Sequence, residues 1–318
     1  MTANDMATLN EKKMRLTMAA SLCLSLLLAP LAGAARGKGS IDSNKIEGLI
    51  RESGAEAVAV AFFDLAGGEE FFIRPDESFH AASTMKVPVM MEVFRQAKEG
   101  MLSLEDYVAI KNEFISIADN TRYSIAAESD SEQSLYKRIG QAETVRELVS
   151  LMINASSNLA TNLLIERVTA PRIMKLMEQM GAKNIRVLRG VEDSKAYSQG
   201  LNNTTTARDL MIILRSIAER RVVSSKASDE MVKILLEQKF NEGIPAGLPA
   251  SVRVAHKTGS ITRINHDAAI VFPADRKPYV IVVLTRGIED EKRAHKLIAD
   301  ISRVVFDSVT ESRRARRP

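Results

Sequence analysis

The first hydrophobic feature of the chain is an apolar run from Leu16 to Leu31, preceded by Lys12, Lys13 and Arg15 and followed by Ala32-Gly33-Ala34. A basic stretch, an apolar stretch and a small-x-small step predict a secretory signal spanning residues 1–34, with a possible pre-sequence before Met14. The run is short and is broken by Ser21, Ser25 and Pro30, which argues against a permanent span and leaves retention as an anchor as the alternative. Beyond it, Ile46, Leu49 and Ile50 recur at helical spacing and predict a first helix over Ser43 to Ser53. Ala57 to Leu65 and Glu70 to Arg74 are β-branched or aromatic runs divided by Ala66-Gly67-Gly68, the pattern of a hairpin. Helical periodicity then returns in Ser83 to Lys98, Thr144 to Val168, Pro171 to Met180, Thr206 to Arg221 and Ser228 to Gln238. Three strand-like runs come late, at Val252 to Lys257, His266 to Phe272 and Tyr279 to Thr285, and a closing helix is predicted over about Asp290 to Val309.

This order does not alternate strand and helix, so it does not build a parallel doubly wound sheet. It predicts an α/β (α+β) fold in which both chain ends contribute to one antiparallel five-stranded sheet flanked by helices, with a large all-helical inserted lobe. The catalytic domain is expected over residues 35–310, its α/β lobe formed by about 41–82 and 225–310 and its helical lobe by about 83–224. A cleft between the lobes is the expected place for a small substrate. Residues 311–318 form a basic tail, read as solvated.

Composition narrows the function. The 318 residues are 45% hydrophobic and 26% charged, which fits a globular domain with a sizeable core. The net charge of +4 is modest and the chain has no Trp, so a basic patch with interleaved stacking aromatics is missing and nucleic acid is not an expected partner. The single cysteine, Cys23, lies inside the apolar run. Cleavage after Ala34 leaves a mature chain without a thiol, hence without disulfides or Cys-ligated metal. The four histidines, His80, His256, His266 and His295, lack metal-ligand spacing, and no metal or other cofactor is expected. The expected location is periplasmic or secreted, the expected state a monomer, with no stable membrane span after signal removal.

Chemistry enters at Ser83-Thr84-Met85-Lys86, an S-x-x-K at the start of an apolar helix. Positions i and i+3 share a helix face, so the Lys86 amine can reach the Ser83 hydroxyl, and a lysine with a lowered pKa can take its proton. The motif is weak alone, because Ser134-Leu135-Tyr136-Lys137 repeats it within a polar region read as a solvated loop or helix start. Downstream, Ser156-Ser157-Asn158 is an S-x-N, equally readable as an ordinary helix cap. Lys257-Thr258-Gly259-Ser260 closes a strand-like run, and Gly259 lets a ligand approach the backbone.

S-x-x-K, S-x-N and K-T-G in this order form the set found in class A β-lactamases and penicillin-binding proteins. Residues Phe79 to Lys86, Ser156 to Glu166 and His256 to Ser260 resemble class A β-lactamases and related serine hydrolases, and the resemblance runs from about Ile41 to Val309. It implies that Ser83 attacks a carbonyl and carries the acyl group, with Lys86 helping to remove its proton. It implies that Ser156 relays a proton to the leaving nitrogen beside Lys257, and that Asn158 holds the substrate amide and contacts Lys86. Thr258 and Ser260, with Gly259 between them, would bind the substrate carboxylate, and the backbone N–H groups of Ser83 and Ser260 would form an oxyanion hole.

The chain also departs from the family. Ser157 stands where aspartate is usual, which puts the rigidity of that loop in question. For release of the acyl group the resemblance calls for a loop glutamate, and Glu192 is the candidate; the other reading is a solvated carboxylate beside Asp193. Gly190 replaces the usual arginine before it, Asn203 replaces the aspartate that would pair with that arginine, and Ala196 replaces an asparagine after it. Loss of both halves of an ion pair predicts a differently closed loop. Arg263 and Arg286 are either extra carboxylate contacts or surface arginines. Three functions follow: a hydrolase opening a β-lactam amide through an acyl-enzyme on Ser83; a D-alanyl-D-alanine carboxypeptidase, other peptidase or esterase taking an acyl-D-Ala-D-Ala-like substrate; or a non-catalytic binding protein of the same fold.

Overall fold

The computed structural model describes residues 41–314. The predicted signal segment with Cys23 and the end of the basic tail lie outside the described residues.

Helix α1 (Ser43–Ser53) starts at Asp42, whose side chain accepts from Lys45 N, and stops at Gly54 in the left-handed conformation. Strands β1 (Ala57–Asp64) and β2 (Glu70–Ile73) form the predicted hairpin. The next helix opens with a 3₁₀ turn, Ala82–Met85, which continues into α2 (Lys86–Lys98). Then follow α3 (Val145–Asn154), α4 (Asn158–Val168), α5 (Ala170–Gln179), the short α6 (Ser194–Ser198), α7 (Ala207–Ala218) and α8 (Ser225–Leu236). Strands β3 (Arg253–Ile261), β4 (Ile264–Phe272) and β5 (Tyr279–Arg286) precede the last helix, α9 (Glu291–Arg314).

The five strands form one sheet in the order β2-β1-β5-β4-β3, with every neighbouring pair antiparallel. Both chain ends therefore build it, as the order of elements predicts. All eight residues of β1 are buried, because helices cover both faces. Ala57, Ala59, Ala61 and Phe63 face the core shared with α2–α5, α7 and α8, whereas Val58, Val60 and Phe62 face the core shared with α1 and α9. This alternation is the two-residue period of a strand, and each large apolar side chain so buried contributes about 1.5–3 kcal/mol.

Three details differ from expectation. The helical stretch over residues 144–168 is two helices, broken at Ser156, whose φ of 56° is left-handed. Apolar periodicity continues through the break, so only tertiary contacts reveal it. The inserted lobe also contains short strand pairs, Tyr107–Ala109 with Ala142–Thr144 and Phe114–Ile115 with Arg122–Tyr123. Finally, α9 extends to Arg314, so the start of the basic tail is helical backbone.

Candidate active site

Three elements meet at the site. The 3₁₀ turn before α2 presents Ser83, the break between α3 and α4 presents Ser156 and Asn158, and edge strand β3 presents Lys257 to Ser260. Gly259 faces the backbone of Ser83: a Cβ there would lie 3.0 Å from Ser83 N and 3.1 Å from Thr84 N. A side chain there would crowd the backbone of Ser83 and Thr84, which favours glycine at this position.

Lys86 is fully buried. Its Nζ donates to Ser156 O at 2.6 Å, Asn158 Oδ1 at 2.9 Å and Ser156 Oγ at 3.2 Å. Lys257, also fully buried, donates to Ser156 Oγ at 3.0 Å and to Thr258 O at 3.0 Å. Burial pushes the Lys86 amine down to about 7, against the attraction of Asp130 and Glu192. Burial, and then repulsion from Lys86, hold Lys257 well below the ordinary lysine value. A lysine that gives up its proton near neutrality is a competent base. Ser83 Oγ makes no hydrogen bond among the described residues; Lys86 directs its donors to Ser156 and Asn158 instead. Catalytic hydrogen bonds commonly tighten only with substrate bound.

Ser83 lies where two arms of the cleft join. One, of about 260 Å³, runs past Ser156, Asn158, Thr258 and Ser260 toward Glu291 and His295. The other, of about 630 Å³, is lined by His80, Arg189, Glu192, Tyr197 and Asn203. Glu192 is exposed, has a left-handed φ of 61° and makes no side-chain hydrogen bond among the described residues. Its neighbour Asp193 is buried and structural: it accepts from Ser116 Oγ at 2.8 Å, Ile117 N at 3.1 Å and Ala196 N at 3.1 Å.

The loop bearing Glu192 is closed without an ion pair between positions 190 and 203. Asn203 Oδ1 accepts from Leu188 N at 2.8 Å and Arg189 N at 3.2 Å, while its Nδ2 donates to Arg189 O at 3.0 Å. The buried Arg189 guanidinium donates to Leu201 O, Gly190 O and Asn202 Oδ1. Gly190 is required because a Cβ would lie 2.6 Å from Asn162 Oδ1 and 2.7 Å from Tyr123 OH. Asn162 in turn pins Val191, accepting from its N–H at 2.7 Å and donating to its carbonyl at 3.1 Å.

Arg263 pairs with Glu56 and Glu289, and Arg286 with Glu77 and Glu56, so both are surface arginines held by carboxylates. Ser134 and Lys137 of the second S-x-x-K are exposed. The polar region beside them is not wholly solvated, however: Asp130 is 3% exposed and lies beneath Ser156 to Leu159. Sequence reasoning missed Asp130, Asn162, Tyr123 and Arg189. The only available signal was the serine at position 157 and the glycine at 190, which show that something else must do their neighbours' work. Among the described residues no helix is long and apolar enough to cross a membrane.

A cleft serine on the turn that leads into a buried lysine with a lowered pKa, together with a second serine hydroxyl shared between two lysines, is the arrangement of a penicillin-recognising serine enzyme. Residues 43–309 match the model of the beta-lactamase enzyme family, and the chain belongs to that family. It is similar to a beta-lactamase of Streptomyces albus G, 26% identical over 298 residues and covering 92% of each chain. It is also similar to beta-lactamase Toho-2 of Escherichia coli, 27% identical over 307 residues, covering 94% of this chain and 99% of the relative. A solved structure of a PBP-A variant, an acyl-enzyme complex with penicillin-G, superposes with a TM-score of 0.73 at 25% identity, covering 84% of this chain and 95% of that one.

Proposed function

We propose that the protein opens the amide of a β-lactam by acylating Ser83 and then hydrolyses the ester, acting in the periplasm or as a secreted enzyme. The observation that carries this reading is the pair Lys86 and Lys257 on the single hydroxyl of Ser156. Neutral Lys86 takes the Ser83 proton as Oγ attacks the carbonyl carbon. The C–N bond then breaks, and the leaving nitrogen takes a proton from Ser156, which regains one from Lys86. In the second half Glu192 accepts a proton from the attacking water, the Ser83–acyl bond breaks, and that proton passes on to Ser83 Oγ, which leaves Glu192 ionised and Lys86 neutral for the next cycle. Asn158 orients the substrate amide, and Thr258 with Ser260 receives its carboxylate.

Two features of the Glu192 loop favour a second reading, a D-alanyl-D-alanine carboxypeptidase or other peptidase or esterase with the same acylation apparatus. Among the described residues no side chain or backbone group hydrogen-bonds to the Glu192 carboxylate, and Ala196, buried four residues on, offers no polar group to hold a water. Both features suit slow release of a lactam-derived acyl group. Incubation with nitrocefin, followed by colour and by mass spectrometry, separates the readings. Sustained turnover that is lost in Ser83→Ala supports the lactamase. A single burst with a persistent Ser83 adduct supports the peptidase, and neither adduct nor product overturns both.

A further inference from the structure

The polar region between the two S-x-x-K motifs holds a buried carboxylate that the reaction scheme does not use. Asp130 accepts from Asn158 N–H through both oxygens, at 3.0 and 2.9 Å, and from Leu159 N–H at 2.9 Å. It also accepts from Tyr136 O–H at 2.9 Å and Glu132 N–H at 3.1 Å, and no arginine or lysine pairs with it among the described residues. Ser131 beside it donates to Ala155 O at 2.7 Å. The loop thus held is the one that turns back at Ser156 and gives Lys86 its acceptors, Ser156 O and Asn158 Oδ1. Position 157, where the family usually has aspartate, carries a fully buried serine whose Oγ accepts from Ala160 N at 3.2 Å and donates to Asp130 Oδ2 at 3.5 Å, so the serine contacts this carboxylate without itself supplying one.

We propose that Asp130 is the positioning residue of this active site, supplying from a separate segment the carboxylate that position 157 lacks and so fixing Ser156 and Asn158 around Lys86. The second S-x-x-K then has a use: its 3₁₀ turn, Leu135–Arg138, carries the Tyr136 hydroxyl that bonds Asp130. Asp130 also acts on Lys86 at a distance. The charged groups that face Lys86 are Asp130 from beneath α4, Glu192 from the loop before α6, and Lys257 from β3. Removing the Asp130 charge leaves the Lys86 ammonium less stabilised, so Lys86 loses its proton at lower pH.

The proposal rests on Lys86 as the base in acylation of Ser83, and its test begins by confirming a penicillin adduct on Ser83 of the parent. Failure there overturns the functional reading itself. With the adduct in hand, Asp130→Asn is expected to lower kcat/KM for nitrocefin by about tenfold to a hundredfold, as misplaced catalytic groups do. Its acid limb should move to lower pH at the same time. A merely structural defect lowers the rate without moving the limb. Asp130→Asn with Ser157→Asp returns a carboxylate to the loop and should recover most of the rate. If Asp130→Asn does not fold, the double variant decides, with recovery supporting the proposal and persistent inactivity overturning it. A folded Asp130→Asn with the parent's rate or the parent's limb also overturns it.

Discussion

Lys86 and Lys257 hold the same hydroxyl: Ser156 Oγ lies 3.2 Å from the first amine and 3.0 Å from the second. Two ammonium groups at such separations repel, and both are wholly buried, so the arrangement favours a neutral amine. Ser156 is then a bridge along which one lysine's proton state is felt by the other.

The first consequence is a pH dependence of acylation. With Lys86 at about 7, the reactive neutral form is scarce below that pH and dominant above it. The acylation rate with nitrocefin should rise about tenfold per pH unit below 7 and level off above, measured in single-turnover mixing. Lys86→Arg, which cannot deprotonate, should lose about a hundredfold to ten-thousandfold across the whole range. A flat profile in the parent removes Lys86 as the base.

The same burial has a thermodynamic sign. Lys86 titrates near 7 in the folded chain and at its ordinary value, 10.5, when unfolded. Between these values the unfolded state binds the extra proton, so this group's contribution to stability rises with pH across the window. The melting temperature of the parent minus that of Lys86→Met should therefore increase from pH 7 to pH 10, by about 5 °C or more. A difference independent of pH contradicts the lowered value.

How much of this was legible follows from which residues act locally. The order of strands and helices could be read from periodicity, whereas Ser83, Lys86, Ser156 and Lys257 stood out only because three motifs, each weak alone, follow in one order; the structure brings Lys86 and Lys257 together on Ser156. The break at Ser156 could not, since apolar spacing continues from Leu148 and Met152 to Leu159 and Leu163, while the turn is stabilised by a residue about thirty positions away. Asp130 looked solvated for the same reason: nothing within a polar run shows that it docks under α4. The closure of the Glu192 loop was anticipated as different. Its means, an Asn203 amide and an Arg189 guanidinium bonded to carbonyls, depend on folded backbone positions.

That closure makes Gly190 a sensitive position. A methyl group there meets Asn162 Oδ1 and Tyr123 OH at under 3 Å, and Asn162 cannot yield without releasing Val191 beside Glu192. Gly190→Ala should cost about 1–3 kcal/mol of stability as an overpacked site. It should also slow hydrolysis of the acyl-enzyme while leaving acylation largely intact, so the Ser83 adduct accumulates by mass spectrometry. Glu192→Gln should give the same accumulation without the loss of stability. Parental turnover in both variants removes the loop from the deacylation step.

The last prediction concerns charge in the smaller arm of the cleft. Ser260 Oγ has one proton, and two acceptors lie near it, Asn265 Oδ1 at 2.8 Å and Glu291 Oε1 at 3.2 Å. A substrate carboxylate arriving at Thr258 and Ser260 would compete for that proton and meet the Glu291 charge. The arginines near the strand do not relieve this, since Arg263 and Arg286 are held by Glu56, Glu77 and Glu289. Glu291→Gln keeps the acceptor and removes the charge. For a lactam bearing a carboxylate it should lower KM about two- to fivefold with kcat unchanged, and the difference should shrink at high salt because Glu291 faces solvent. A raised KM would show the opposite: that Glu291 orients the Ser260 hydroxyl for binding, and that its charge is part of what the cleft selects.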